Sequence, residues 1–196
     1  MKLLQPYYCN PDTLQLSKDL LGKKLVTNID SKLTSGIIVE TEAYLGVEDQ
    51  ASHAYGGKKT NRTNVMYHKG GVAYVYLCYG MYSLFNIVCN IENIPHAILI
   101  RAIEPISGVD IMCKRRNNSS IQSYNLTNGP GKLCQALGIN KTLNFKSLEG
   151  STVWIEDVNN KVFDKNILSV PRIGVDYAGE DTKLPYRFYI KNNKWI

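Results

Sequence analysis

Apolar residues fall in short runs between polar turns, and most runs alternate with the period of a strand rather than a helix. The clearest exception is Asp12-Thr13 followed by Leu14, Leu16, Leu20, Leu21 and then Gly22, a short helix with an N-cap and a glycine stop. Lys24–Ile29 and Gly36–Tyr44 are predicted strands around the polar turn Asp30–Ser35. Val72–Cys78 and Tyr82–Cys89 read as a tight hairpin turning at Tyr79-Gly80-Met81, and His96–Ala102 as a further apolar strand. Ser107–Arg116 is a helix candidate, followed by a polar loop to Asn128. Gly129-Pro130 opens another helix, Gly131–Leu137, with proline in its first turn. Thr152–Glu156, Ile167–Ile173 and Tyr186–Ile190 complete the strands. The Gly- and Lys-rich loop Leu45–Gly71 exceeds the ~15 residues usual for structureless loops, so it is functional or ordered by its own contacts. Strands in runs with a few helices between them predict an α+β domain, residues 1–196, built on an antiparallel sheet.

Composition narrows the class. The 196 residues suit one domain whose core needs no staples. The longest apolar stretch, Val72–Tyr79, is far short of the ~20 residues of a membrane helix. Met1–Leu4 is broken by Gln5-Pro6, which leaves no room for the apolar region of a signal peptide. Five cysteines without a CxxC pair argue against disulfides and zinc, and point to free thiols in a reducing, cytoplasmic setting. The net charge is +6, and the surplus lies late: nine basic against eight acidic residues up to position 100, fourteen against nine beyond it. That fits a polyanion partner as well as a plain solvated surface. Thirteen of the 19 aromatics are tyrosine, and seven of those lie between Tyr44 and Tyr82. Each buried tyrosine hydroxyl needs a partner, so such a cluster suggests a surface that stacks on something flat, such as a nucleobase.

Several residues could carry chemistry. Strict alternation over 36–44 sets Ile38, Glu40, Glu42 and Tyr44 on one face, opposite Ile37, Val39, Thr41 and Ala43. Two glutamates spaced i, i+2 lie ~7 Å apart along a strand, the separation of the acid and base in an inverting glycosidase. The alternative is a solvent-facing strand side. Arg101, inside the apolar run Ala97–Ile103, needs a carboxylate partner, and Glu42 or Glu40 would serve. Such a pair holding a water is a reasonable hydrolytic centre. Tyr79, at the hairpin tip, either wedges into a stack or covers a neighbouring loop. His53, His68 and His96 have no ligand companions at usable spacing, so no metal and no cofactor are expected. Asn128-Gly129-Pro130-Gly131-Lys132 lacks the Ser or Thr of a P-loop, leaving a helix N-terminus and a lysine that can hold one phosphate.

Val39-Glu40-Thr41-Glu42-Ala43-Tyr44-Leu45-Gly46, Ala51-Ser52-His53 and Tyr74-Val75-Tyr76 through Tyr79-Gly80-Met81-Tyr82 resemble the alkyladenine (3-methyladenine) DNA glycosylase family. Leu99–Pro105, Gly129–Leu137 and Leu184–Tyr189 continue the match in the family's order, so the resemblance runs from about Leu14 to Trp195. It implies a single compact domain with a curved antiparallel sheet, flanking helices and a protruding hairpin that enters the DNA minor groove. The implied activity is monofunctional: a damaged purine is flipped out of double-stranded DNA and its N-glycosidic bond is cut by water.

Carried over residue by residue, the resemblance makes Glu42 the general base. Arg101 and the backbone carbonyl of Ile173 would help hold the water. Tyr44, His53 and Tyr76 would sandwich the flipped base, and Asn86 would disfavour guanine at its 2-amino group. Tyr79 would fill the gap in the stack, and Lys132 would contact phosphate. Glu40 becomes structural. N3- or N7-methylated purines are cationic and leave readily, whereas neutral lesions such as hypoxanthine need protonation, where contacts from His53 would matter more.

The chain starts almost at the family's core, so no partner-binding tail is expected, and a monomer is. Asn90–Pro95 and Asn117–Asn125 match no family motif. Two rivals are a non-catalytic nucleic-acid binder, which would not need Glu42 beside Arg101, and a carbohydrate hydrolase using Glu40 with Glu42, which the basic charge disfavours. DNA binding should weaken steeply with salt, and sugar binding should not.

Overall fold

The computed structural model describes residues 1–117 and 123–196, so residues 118–122 of the expected polar loop lie outside the described residues. Helices α1 (Gln5–Tyr8) and α2 (Thr13–Asp19) lead into strands β1 (Lys24–Ile29) and β2 (Lys32–Tyr44). Asp12 caps α2 by accepting the Gln15 amide at 2.9 Å. Then come β3 (Val72–Cys78), β4 (Tyr82–Cys89) and β5 (His96–Ser107), followed by α3 (Val109–Arg115) and α4 (Pro130–Leu137). Strands β6 (Val153–Glu156), β7 (Ile167–Val170) and β8 (Arg187–Ile190) close the chain. All strand pairs are antiparallel. The order is β3-β4-β5-β2-β1-β6, with β8 joining β2 and β7 joining β8. This is the α+β architecture with flanking helices that the pattern predicts.

Strand β2 is the trunk. One edge pairs with β5, and the other pairs first with β1 and then, over Glu40–Glu42, with β8. The sheet forks where the β2–β5 register slips: Ile38 faces Ile103, yet Glu40 faces Ala102. Such a bulge overturns the strict alternation read from the sequence. Ile38 does not share a face with Glu40 and Glu42; it packs in the main core with Ala43. The extra residue at Val39 is what allows two glutamates to leave the core side of a strand that enters it apolar.

The main core lies between the sheet and the helices, where Ile38, Ala43, Phe85, Ile87, Ile98 and Ile100 meet Leu16, Leu133 and Leu137. On the other sheet face, Ala54, Val65 and Met66 of the long loop pack against Tyr74, Val88 and Ala97. The loop is therefore ordered by its own contacts, with 3-10 turns at Tyr55–Gly57 and Asn64–Tyr67.

Several boundaries differ from expectation, and β2 already begins at Lys32, inside the turn expected over Asp30–Ser35. Strand β5 runs on to Ser107, and α3 begins only after Gly108, whose φ of +70° breaks the backbone between them. The strand expected over Ile167–Ile173 stops at Val170, because Pro171 has no N–H for the ladder. The hairpin turns where predicted, with positive φ at both Tyr79 (+51°) and Gly80 (+71°), as a type I′ turn requires.

Candidate active site

One register row crosses four strands: Tyr74 of β3 pairs with Asn86 of β4, Asn86 with Leu99 of β5, and Leu99 with Glu42 of β2. Inter-strand spacing of ~4.8 Å makes this row about 14 Å long. Because side chains alternate, Tyr76, Arg101 and Tyr44 belong to the same face, away from the helices. The long loop and residues 171–178 wall this face into a cavity of about 580 Å³. Tyr44, His53, Tyr76, Asn86, Arg101 and Lys132 all line it, and Tyr79 reaches its rim.

Glu42 is fully buried beneath the cavity. Its Oε1 accepts from the Ile173 amide at 2.9 Å and lies 3.1 Å from Arg101 Nη1, while its Oε2 accepts from Tyr44 Oη at 2.8 Å. It is thus the amide of Ile173 that touches Glu42. Arg101 also reaches Glu40 Oε1 through Nε at 3.1 Å, and Arg187 approaches the same oxygen at 3.5 Å. Burial alone would lower the Arg101 pKa, but the Glu42 and Glu40 charges outweigh it and hold the guanidinium above its ordinary value. Burial, then the Glu42 charge, raises the Tyr44 hydroxyl well above its usual range. Glu40 thus lies between two guanidinium groups as their shared counter-ion, which agrees with the structural part that the resemblance gives it.

The aromatic walls come from β3 and the loops. The His53 and Tyr76 rings meet edge to face at 4.7 Å, and Tyr74 lies 5.2 Å from Tyr76. His53 Nδ1 is 2.8 Å from Tyr74 Oη, and its Nε2 is 3.2 Å from Arg62 Nη2. Burial, and then the Arg62 charge, push the His53 pKa down to about 4; burial pushes Tyr74 up to about 12 and Tyr76 well above its ordinary value. Opposite, the Tyr44 ring carries the Arg172 guanidinium at 4.8 Å. Arg172 is buried and bidentate on Asp49 at 2.5 and 2.8 Å, and also donates to the Ala43 carbonyl at 2.9 Å. Asp49 in turn accepts from the Leu45 and Ala51 amides. This ion pair staples two loops around Tyr44 and sets the Ile173 amide onto Glu42.

At the rim, Tyr79 is 87% exposed, so its ring stands in solvent, and Met81 and Tyr82 beside it are exposed too. The hairpin base rests on α4: a Cβ added to Gly131 would lie 3.2 Å from Tyr82 Cβ. Lys132, in the first turn of α4, donates to Asn128 Oδ1 at 3.0 Å and to Asn125 Oδ1. Asn86 is buried, and its Nδ2 donates to the Tyr74 carbonyl at 3.2 Å.

The structure therefore gathers every predicted site residue around one cavity. Sequence reasoning missed Arg62, Asp49, Arg172 and Tyr177, whose hydroxyl donates to the Ala51 carbonyl at 2.9 Å. All four lie outside regular strands, where no periodicity marks them. The one available signal was the pair Pro171-Arg172, a charge set directly after a strand stop. Among the described residues no group of three His, Cys, Asp or Glu is placed to hold a metal ion, and no helix is long and apolar enough to cross a membrane.

A buried carboxylate and arginine beneath an aromatic cavity, with a lysine and an exposed tyrosine at its mouth, fit the class of DNA glycosylases. The chain belongs to the methylpurine-DNA glycosylase family, whose model matches residues 7–194. It is 49% identical over 192 residues to a Chlamydia felis protein, covering 98% of this chain and 97% of that one. A Chlamydia abortus protein is 50% identical, covering 97% and 100%, and a Clostridium acetobutylicum protein 45%, covering 100% and 97%. All three are provisionally named 3-methyladenine DNA glycosylases. Family membership makes this protein a DNA-repair hydrolase whose partner is DNA.

Proposed function

We propose that this protein, acting as a monomer, flips alkylated or deaminated purines from duplex DNA and hydrolyses their N-glycosidic bond with a water activated by Glu42. Base flipping costs a few kcal/mol of unstacking, least at a damaged base, and Tyr79 offsets part of it by stacking in the gap. The base enters between Tyr44 on one side and His53 with Tyr76 on the other. Lys132 holds a backbone phosphate, and its two asparagine partners keep the ammonium in place.

Water bound between Glu42, Arg101 and the Ile173 carbonyl attacks C1′ of the sugar. Its proton passes to Glu42, the bond from C1′ to the purine nitrogen breaks, and the bond electrons leave with the base. A purine methylated at N3 or N7 departs neutral because it enters positively charged, and no acid is then required. The proposed nucleophile is water, so the product is an intact abasic site and no Schiff base forms. Asn86, fixed to the Tyr74 carbonyl, crowds the 2-amino group of guanine and leaves polar atoms unpaired there.

The observation that carries this reading is Glu42 itself, fully buried yet held by two hydrogen bonds and an ion pair from groups that line the cavity above it. Single-turnover excision from duplexes holding 7-methylguanine, hypoxanthine or ethenoadenine tests it, with wild type set against Glu42→Gln. Loss of a general base costs about 10²–10⁴-fold, so abasic sites should form with wild type and be slower by that factor with the variant. Equal release by both would move the base elsewhere, and binding without release by wild type would leave a damage-recognition protein.

A further inference from the structure

Arg62 has no part in the mechanism above, yet it touches both components of one wall of the cavity. Its guanidinium carbon lies 4.6 Å from the centre of the Tyr76 ring, and its Nη2 is 3.2 Å from His53 Nε2. A guanidinium only donates hydrogen bonds. His53 Nε2 must therefore be the acceptor, which leaves the imidazole proton on Nδ1, 2.8 Å from Tyr74 Oη. Tyr74 Oη accepts the hydrogen bond from that Nδ1–H, so its own hydroxyl hydrogen is free to turn toward the cavity. The guanidinium does not line the cavity itself; it acts on the wall from outside.

We propose that Arg62 is a positioning residue for base selection: it locks His53 as the uncharged, Nδ1-protonated form, so that the wall accepts a positively charged methylated purine. The proposal rests on the purine-excision reading and adds to it the origin of tolerance for a cationic base. A charged imidazolium in the same place would repel such a base across a stacking distance, whereas a neutral one with the Tyr76 ring beside it attracts it. The lock also removes His53 as an acid. Both of its nitrogens are engaged, so on this proposal the imidazole would serve a neutral lesion through contact rather than as a proton donor.

The groups that face the imidazole are Arg62 from the long loop, Tyr74 and Tyr76 from β3, and Tyr177 from residues 171–178, which neighbours Tyr74 and Arg62. Of these, only Arg62 is charged near neutral pH, and its charge adds to burial in keeping the ring unprotonated. Removing that charge should therefore let His53 take up a proton at higher pH.

The test has a direct arm and a functional arm. Nitrogen-15 NMR of the imidazole in wild type should show the Nδ1–H form and no protonation down to pH 5; an Nε2–H form would overturn the proposal outright. In Arg62→Gln, which keeps a donor and loses the charge, His53 should titrate at higher pH, toward 6.5. Excision of 7-methylguanine at saturating enzyme should then fall more steeply with falling pH, relative to ethenoadenine, than it does in wild type. Arg62→Lys should restore the wild-type ratio. Parallel losses for both lesions at every pH, or an unmoved titration, would make Arg62 merely structural or DNA-binding. The NMR arm does not depend on catalysis, so a wild type that releases no purine would defeat the functional reading alone.

Discussion

The floor of the cavity and the tip of the hairpin stand on one sheet and are built on opposite terms. At the floor the charges are already answered: Glu42 has three donors and Arg101 two carboxylates. At the tip, Tyr79 has a left-handed backbone and a solvent-facing ring. A bulky residue at positive φ is strained, and here the strain aims an aromatic away from the protein. On the proposed function, the contrast separates what must be rigid before substrate arrives from what needs no partner until a gap exists to fill. Disruption at the floor should therefore damage fold and chemistry together, and disruption at the tip should damage chemistry alone.

The largest effect is expected from Arg101→Met, which leaves Glu40 and Glu42 buried without their shared cation. Breaking a buried pair in this way costs about 3–5 kcal/mol, so urea denaturation should show a much lower midpoint together with lost excision. A midpoint close to wild type would mean that water, not Arg101, answers those carboxylates. The His53 wall should show next, through pH. Its folded pKa of about 4 lies below the ordinary 6.5, so the unfolded chain binds more protons between those values. Stability from this group is then complete above pH 6.5 and is lost as pH falls toward 4, by about 3 kcal/mol at most. His53→Gln should flatten that part of the stability-against-pH curve; an equally steep curve would place the acid sensitivity elsewhere.

At the tip, Tyr79→Ala should leave stability within about 0.5 kcal/mol. Loss of one stacking contact, about 1–3 kcal/mol, should slow duplex excision roughly 10- to 100-fold. If the variant also lost stability, the ring would be a cover for its neighbours and the contrast would fail. Smallest is Asn86→Ala, which should raise release of undamaged guanine by about tenfold, within the range a small change in a pocket wall produces. Unchanged guanine release would remove Asn86 from discrimination.

The sequence made the hairpin fully legible, because two largely apolar runs flank a short turn with glycine at its centre. It also made the Glu42–Arg101 floor legible, since an arginine inside an apolar run must find a carboxylate. Two kinds of feature stayed hidden. The bulge at Val39 is one: all of Ile37–Val39 is apolar, so nothing in the pattern marks where the facing changes. The other is the set of loop-borne arginines. Arg62 and Arg172 act across 9 and 123 residues of chain, on His53 and Asp49, and such pairings arise only once the loops are folded onto the sheet.

The seat of the hairpin on α4 has a mechanical consequence. A methyl group on Gly131 would meet Tyr82 at 3.2 Å, a tight contact, so the strand root and the helix start are closely packed. On the proposed function, Tyr79 meets the base stack and Lys132 a phosphate, so this packing would set the spacing between the two contacts. A fixed spacing of that kind would make the protein respond to the geometry of a duplex as well as to the chemistry of its bases.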